Sequence, residues 1–242
     1  MSNPIYAIGD IHGQLSELNR VLALIEADGG TEAEIVFIGD YTDRGPDSAG
    51  VIELLMNGVA SGKPWRCLKG NHDRMFGWFM HDYPQHDAYL PVYLYWLHER
   101  LGGDTTMASY GVPVRETDRQ LAIHEMAKNA VPQAHVDFLN SLRLSYETET
   151  LFFAHAGIKP GVPLSEQDEE DLLWIRKEFH IDTRDHGKLI VHGHTPVDAA
   201  THYGNRVNID AGAGYGKPLA AVVFEGKECW SLTDQGRVAL RP

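Results

Sequence analysis

Two hydrophobic rhythms alternate along the first third of the chain. Short apolar runs at Ile5–Ile8, Ile35–Ile38 and Trp65–Leu68 predict buried strands. After the first run, apolar residues recur at helical spacing (Leu15, Leu18, Val21, Leu22, Ile25), predicting a helix from Gln14 to about Ala27. After the second, Asp47 or Ser48 can cap a helix running to about Ala60, and a third helical stretch follows KGNHD. Three strand–loop–helix units in succession predict a layered α/β domain.

The pattern changes from about Phe76 to Leu144. Helix-length segments there are rich in aromatics (Trp78, Phe79, Tyr83, Tyr89, Tyr93, Tyr95, Trp96) and are broken by Gly102-Gly103 and Pro113. They read as a helical insertion that covers one end of the core, with the aromatic stripe packed inward. Strand signals resume at Tyr146–Glu149, Leu151–Ala154, Leu189–Val191, Val207–Ile209 and Leu219–Phe224. The expectation is one domain over residues 1–242, with residues 76–144 inserted within it.

Composition narrows the function classes. The apolar content of 43% supports a buried core, and the net charge of −13 argues against nucleic acid as a partner. No stretch approaches the roughly 20 apolar residues of a membrane span, and the opening MSNPIYAIGDIHG has no leader pattern. Cys67 and Cys229 stand far apart, which predicts reduced thiols and a cytoplasmic setting. Cys67 does precede Arg74, but with six intervening residues, where cysteine-dependent phosphatases have five.

The chemistry lies at the strand ends. Asp10 and His12 follow the first strand; Asp40, Asp43 and Arg44 the second; Asn71, His72 and Asp73 the third. His155 follows Leu151–Ala154, and His192 and His194 follow Leu189–Val191. Ligands of open α/β sheets bind at the carboxyl ends of strands, so five strands deliver these groups to one rim. Clustered carboxylates repel one another unless a cation sits among them. A donor set of Asp, Asn and His without thiolates suits a divalent pair such as Mn, Fe or Zn.

In this order GDIHG, GDYTDRG, GNHD, HAG and HGHT resemble the metallophosphoesterase family, from about Ile5 to Gly216. GDxxDRG is similar to the branch holding bacterial serine/threonine protein phosphatases and symmetric diadenosine tetraphosphatases. The resemblance implies a fold of sandwich-like layered sheets flanked by helices. It implies two divalent ions, Mn foremost, with Asp10, His12 and Asp40 on the first and Asp40, Asn71, His155 and His194 on the second. His192 is expected not to ligate. Where many relatives carry a further histidine, Pro196 stands here.

The resemblance further implies phosphoester hydrolysis by in-line attack of a water between the metals. Arg44 and Arg176 would bind phosphate, and His72, oriented by Asp43, would protonate the leaving group. The substrate expected first is a phosphorylated protein or peptide, since Ile209–Gly216 looks more like the protein-phosphatase type. A dinucleoside polyphosphate is the alternative. An inactive scaffold would show broken ligands, and this set is intact.

Overall fold

A computed structural model describes residues 3–115 and 117–242; Met1, Ser2 and Glu116, which fall within the expected domain and insertion, lie outside them. The predicted early units form as β1 (Ile5–Ile8), α1 (Leu15–Gly29), β2 (Glu34–Phe37), α2 (Ser48–Ala60), β3 (Trp65–Cys67) and α3 (Asn71–Phe79). Asp47 caps α2 by accepting from the Gly50 N–H at 2.8 Å. Beyond α3 come α4 (Gly103–Ser109), α5 (Gln120–Ala130) and α6 (Gln133–Ser141). The remainder is β4 (Ser145–Glu147), β5 (Leu151–Ala154), α7 (Glu169–Trp174), α8 (Lys177–His180), β6 (Leu189–His192), β7 (Thr201–His202), β8 (Arg206–Asn208), β9 (Ala221–Glu225), β10 (Glu228–Thr233) and β11 (Gly236–Leu240).

The strands form two mixed sheets, one ordered β11-β10-β9-β1-β2-β3 and the other β4-β5-β6-β8-β7. The period of two explains how they stack. Ala7, Val36, Val222 and Phe224 point from the first sheet toward Phe153, Val191 and Val207 of the second, so the two faces share a core. The alternate residues Tyr6, Ile8, Ile35 and Phe37 face outward and are covered by Leu18, Val21 and Ile25 of α1 and Val51, Ile52 and Leu55 of α2. On the far side, Phe152 and Ile190 pack against Leu172 of α7 and Phe179 of α8. The result is helix–sheet–sheet–helix layering, the architecture that the family resemblance implied.

The middle segment differs from expectation in one respect. Residues 80–102 carry no helix, because Pro84 and Pro91 lack the backbone N–H a helix requires. Its aromatics therefore share no face. Phe79 and Trp96 are buried, whereas Tyr83, Tyr89, Tyr93 and Tyr95 are exposed, which corrects the inward stripe. Leu94, Leu97 and Leu101 still anchor the segment in the main core. Buried Arg74 pins it further, pairing with buried Asp87 at 2.8 Å and with Glu170 of α7 at 2.9 Å. Among the described residues, no helix is long and apolar enough to cross a membrane.

Candidate metal centre

Each strand of the β1-β2-β3 and β5-β6 sets ends in a tight loop, and these loops lace together at one rim. The Ile11 and His12 N–H groups both donate to Asp40 O, and Gly13 N–H donates to Tyr41 O, joining the first loop to the second. Asp73 joins the second to the third: its carboxylate accepts from the N–H groups of Asp40, Tyr41 and Gly70 at 2.8–2.9 Å. Gly39, at φ +105°, and Gly70 pass so closely that a Cβ on either would strike the other loop. No larger residue fits that crossing.

Five non-glycine residues have positive φ among the described residues: His12, Asp40, Asp43, Arg44 and His194. All five were singled out by the strand-end motifs. Each costs of order 1–3 kcal/mol, and such strain concentrates where structure serves function.

The buried side chains converge in two groups. Ligand atoms of His12, Asp40 and His72 lie within 4.8 Å of one another, as do those of Asp40, His155 and His194. Asp40 belongs to both. Its Oδ2 lies 3.5 Å from His12 Nε2 and its Oδ1 3.5 Å from His155 Nε2. Asn71 Oδ1 lies 2.9 Å from His155 Nε2 and 2.9 Å from His194 Nδ1.

These residues fit a divalent pair for a reason of proton accounting. Burial holds the imidazoles of His12, His155 and His194 below the ordinary histidine range, so they are neutral. The His155 Nδ1–H donates to Ile38 O at 3.0 Å and the His12 Nδ1–H to Thr42 O at 2.8 Å. The His155 Nε2 lone pair is then turned toward oxygens of Asn71 and Asp40, acceptor against acceptor, while that of His12 faces Asp40 and the Arg44 guanidinium. Asp10 accepts from the His194 N–H through Oδ2, yet its buried Oδ1 has no partner among the described residues. Burial, then the charges of Asp210 and Asp40, pushes the Asp10 carboxyl well above its usual range. A rim of acceptors and crowded carboxylates is a site built for cations.

The remaining predicted residues surround this centre. His72 Nδ1–H donates to Asp43 Oδ2 at 2.6 Å, leaving Nε2 toward the cluster. Arg44 reaches His12 Nε2 at 2.6 Å and His72 Nε2 at 3.1 Å, while Arg176 Nε lies 3.0 Å from His194 Nε2. Both predicted arginines therefore border the cluster. His192 faces away: its Nε2 meets Arg206 at 3.0 Å in the buried interior.

Three contributors escaped the sequence reading. Trp96 Nε1–H donates to Asp43 Oδ2 at 2.8 Å, and the Thr106 hydroxyl donates to Asp43 Oδ1 at 2.7 Å. Nothing local in the sequence marks these contacts, which reach Asp43 from 53 and 63 residues away. Asp210 is the third. Burial raises its carboxyl to about 6, and it feels the charges of Asp40 and both arginines. It follows β8 at the same rim, so the strand-end rule that found the others would have found it too.

The two histidines of HGHT give a direct test. Replacing His194 with alanine is expected to lower bound metal from two ions toward one per chain, while His192→Ala keeps two. Elemental analysis after gel filtration reads the difference, and the reverse pattern contradicts the assignment.

Comparison with known proteins gives the family and the fold. Residues 3–224 match the calcineurin-like phosphoesterase family. The asymmetrical bis(5'-nucleosyl)-tetraphosphatase PrpE of Oceanobacillus iheyensis is 27% identical over 258 residues, covering 94% of this chain and 91% of its own. Among solved structures, a candidate diadenosine tetraphosphatase superposes with a TM-score of 0.64 at 20% identity, covering 100% of this chain and 95% of its own. A cold-active protein-tyrosine phosphatase from a psychrophilic Shewanella gives 0.65 at 17%, covering 100% and 81%. These structural likenesses extend to the fold.

Proposed function

This chain belongs to the calcineurin-like phosphoesterase family of metal-dependent hydrolases, and we propose that its substrate is a dinucleoside polyphosphate. The observation carrying this reading is an aromatic platform beside the phosphate-binding group. The Arg44 guanidinium lies over the Tyr215 ring at 4.7 Å, and Tyr215 is 63% exposed. A phosphate held by Arg44 thus has an open ring next to it on which a base can stack. The PrpE likeness over nearly the whole chain supports the same substrate class.

One ion would be held by Asp10, His12 and Asp40, and the other by Asp40, Asn71, His155 and His194. A divalent pair, Mn foremost with Fe or Zn also suited to these donors, supplies Lewis-acid polarisation and a more acidic water when bound. The side chains do the rest. Arg44 and Arg176 neutralise and orient the phosphoryl oxygens opposite the attacking water. Where the leaving group is poor, His72 delivers a proton from Nε2 to the departing oxygen as its bond to phosphorus breaks. Asp43 keeps the ring in register.

A second reading, hydrolysis of phosphoserine or phosphothreonine peptides, draws on the His72–Asp43 pair. A serine alkoxide needs a proton to leave, whereas a nucleotide leaves readily without one. Turnover of diadenosine tetraphosphate beside a phosphoserine peptide separates the two. We expect kcat/KM to favour the dinucleotide by at least about tenfold, the scale of one stacked base, with AMP and ATP as products. Two ADP would indicate the symmetric cleavage. A preference for the peptide would assign the chain to the protein phosphatases.

A further inference from the structure

Tyr215 also lines a groove whose other walls have no part in the chemistry above. It is a cavity of about 650 Å³ between the loop after β6, β7 with its turn into β8, and the loop after β8, lined by Pro196, Val197, Thr201, Tyr203, Tyr215 and Lys217. Small-molecule sites span roughly 300–1,000 Å³. We propose that this groove is the subsite for one nucleoside of the substrate, with the base held between Tyr215 and Tyr203. The proposal rests on the dinucleoside polyphosphate reading and adds where the nucleoside lies and which residues select it.

Both tyrosines are presented in a way that packing does not require. Tyr215 is 63% exposed and Tyr203 45% exposed. Each ring is backed by a guanidinium, Tyr215 by Arg44 at 4.7 Å and Tyr203 by Arg206 at 3.8 Å, which holds the ring in place. The Tyr215 loop is itself tied to the metal rim. Asp210 Oδ1 accepts from Gly212 N–H at 2.9 Å, and Gly212 O accepts from Tyr215 N–H at 2.9 Å. A chain of contacts thus sets the platform at a fixed reach from Arg44.

The charges in the groove decide which part of the substrate it accepts. Lys217 Nζ pairs with Asp198 Oδ1 at 2.8 Å, so the groove has no surplus positive charge for another phosphate. That pair offers both donors and a carboxylate acceptor, which match ribose hydroxyls and base edges. Phosphate belongs to Arg44 and Arg176, and the uncharged nucleoside to the groove.

The experiment compares diadenosine tetraphosphate, p-nitrophenyl phosphate and a phosphoserine peptide on the metal-loaded enzyme and on Tyr203→Ala, Tyr215→Ala, Tyr203→Phe and Tyr215→Phe. Loss of one stacked base is expected to raise KM for the dinucleotide roughly 5- to 150-fold. In Tyr203→Ala, which leaves Tyr215 and Arg44 in place, the loss on p-nitrophenyl phosphate, which has no nucleoside, should be far smaller, and the phenylalanine variants should recover dinucleotide binding because the ring remains. Turnover of the dinucleotide with unchanged KM in both alanine variants overturns the groove assignment while leaving the substrate reading standing. Equal losses on both small substrates in Tyr203→Ala, or a loss confined to the peptide, also overturn it. No turnover of the dinucleotide by the unaltered enzyme removes the substrate reading and the groove's role with it.

Discussion

Replacing Asp40 with asparagine is expected to lower turnover of every phosphoester substrate by at least about 10²–10³-fold, the scale of losing a preorganised electrostatic contact. The substitution isolates charge. Asp40 sits at φ +52°, a conformation asparagine also tolerates, so the backbone is not penalised. An amide oxygen can still accept from the His72 N–H, which meets Asp40 Oδ1 at 3.0 Å. What is lost is the one carboxylate common to both ligand groups. Metal content should fall with activity. Full activity in Asp40→Asn would mean that Asp40 is not the bridge.

The second large effect concerns the proton given to the leaving group. General acid catalysis is worth about 10²–10⁴-fold. His72→Asn should therefore cut turnover of a serine phosphate by that factor, and that of p-nitrophenyl phosphate, whose phenolate leaves unaided, much less. Asp43→Asn and Trp96→Phe should show the same skew in weaker form. Asp43 receives His72, Trp96 and Thr106 together, so each change loosens the ring without removing it. Arg44→Ala should instead depress both substrates alike. Equal losses for His72→Asn on the two substrates, with two ions still bound, would give His72 a positioning role.

The sequence revealed the rim far better than its supports. Asp10, His12, Asp40, Asn71, His155 and His194 were legible because each immediately follows a short apolar strand, and strand ends in a layered sheet share an edge. Trp96 and Thr106 were not, because they reach Asp43 from a segment whose path is set by tertiary packing. The aromatic stretch misled for a related reason. Composition alone could not say that the chain between Tyr83 and Leu101 turns repeatedly, exposing Tyr83, Tyr89 and Tyr93 while burying Trp96. The strands β10 and β11 also went unread. They form an edge meander on β9, and their Glu, Ser, Thr and Arg residues leave a weak apolar signal.

Metal stoichiometry tests the central claim most directly. Enzyme stripped with chelator is titrated with Mn while bound metal and hydrolysis of diadenosine tetraphosphate are followed together. Two ions per chain, no turnover in the stripped protein and recovery only as the second equivalent binds are the predicted result. Undiminished turnover in protein that elemental analysis shows to be metal-free would contradict it.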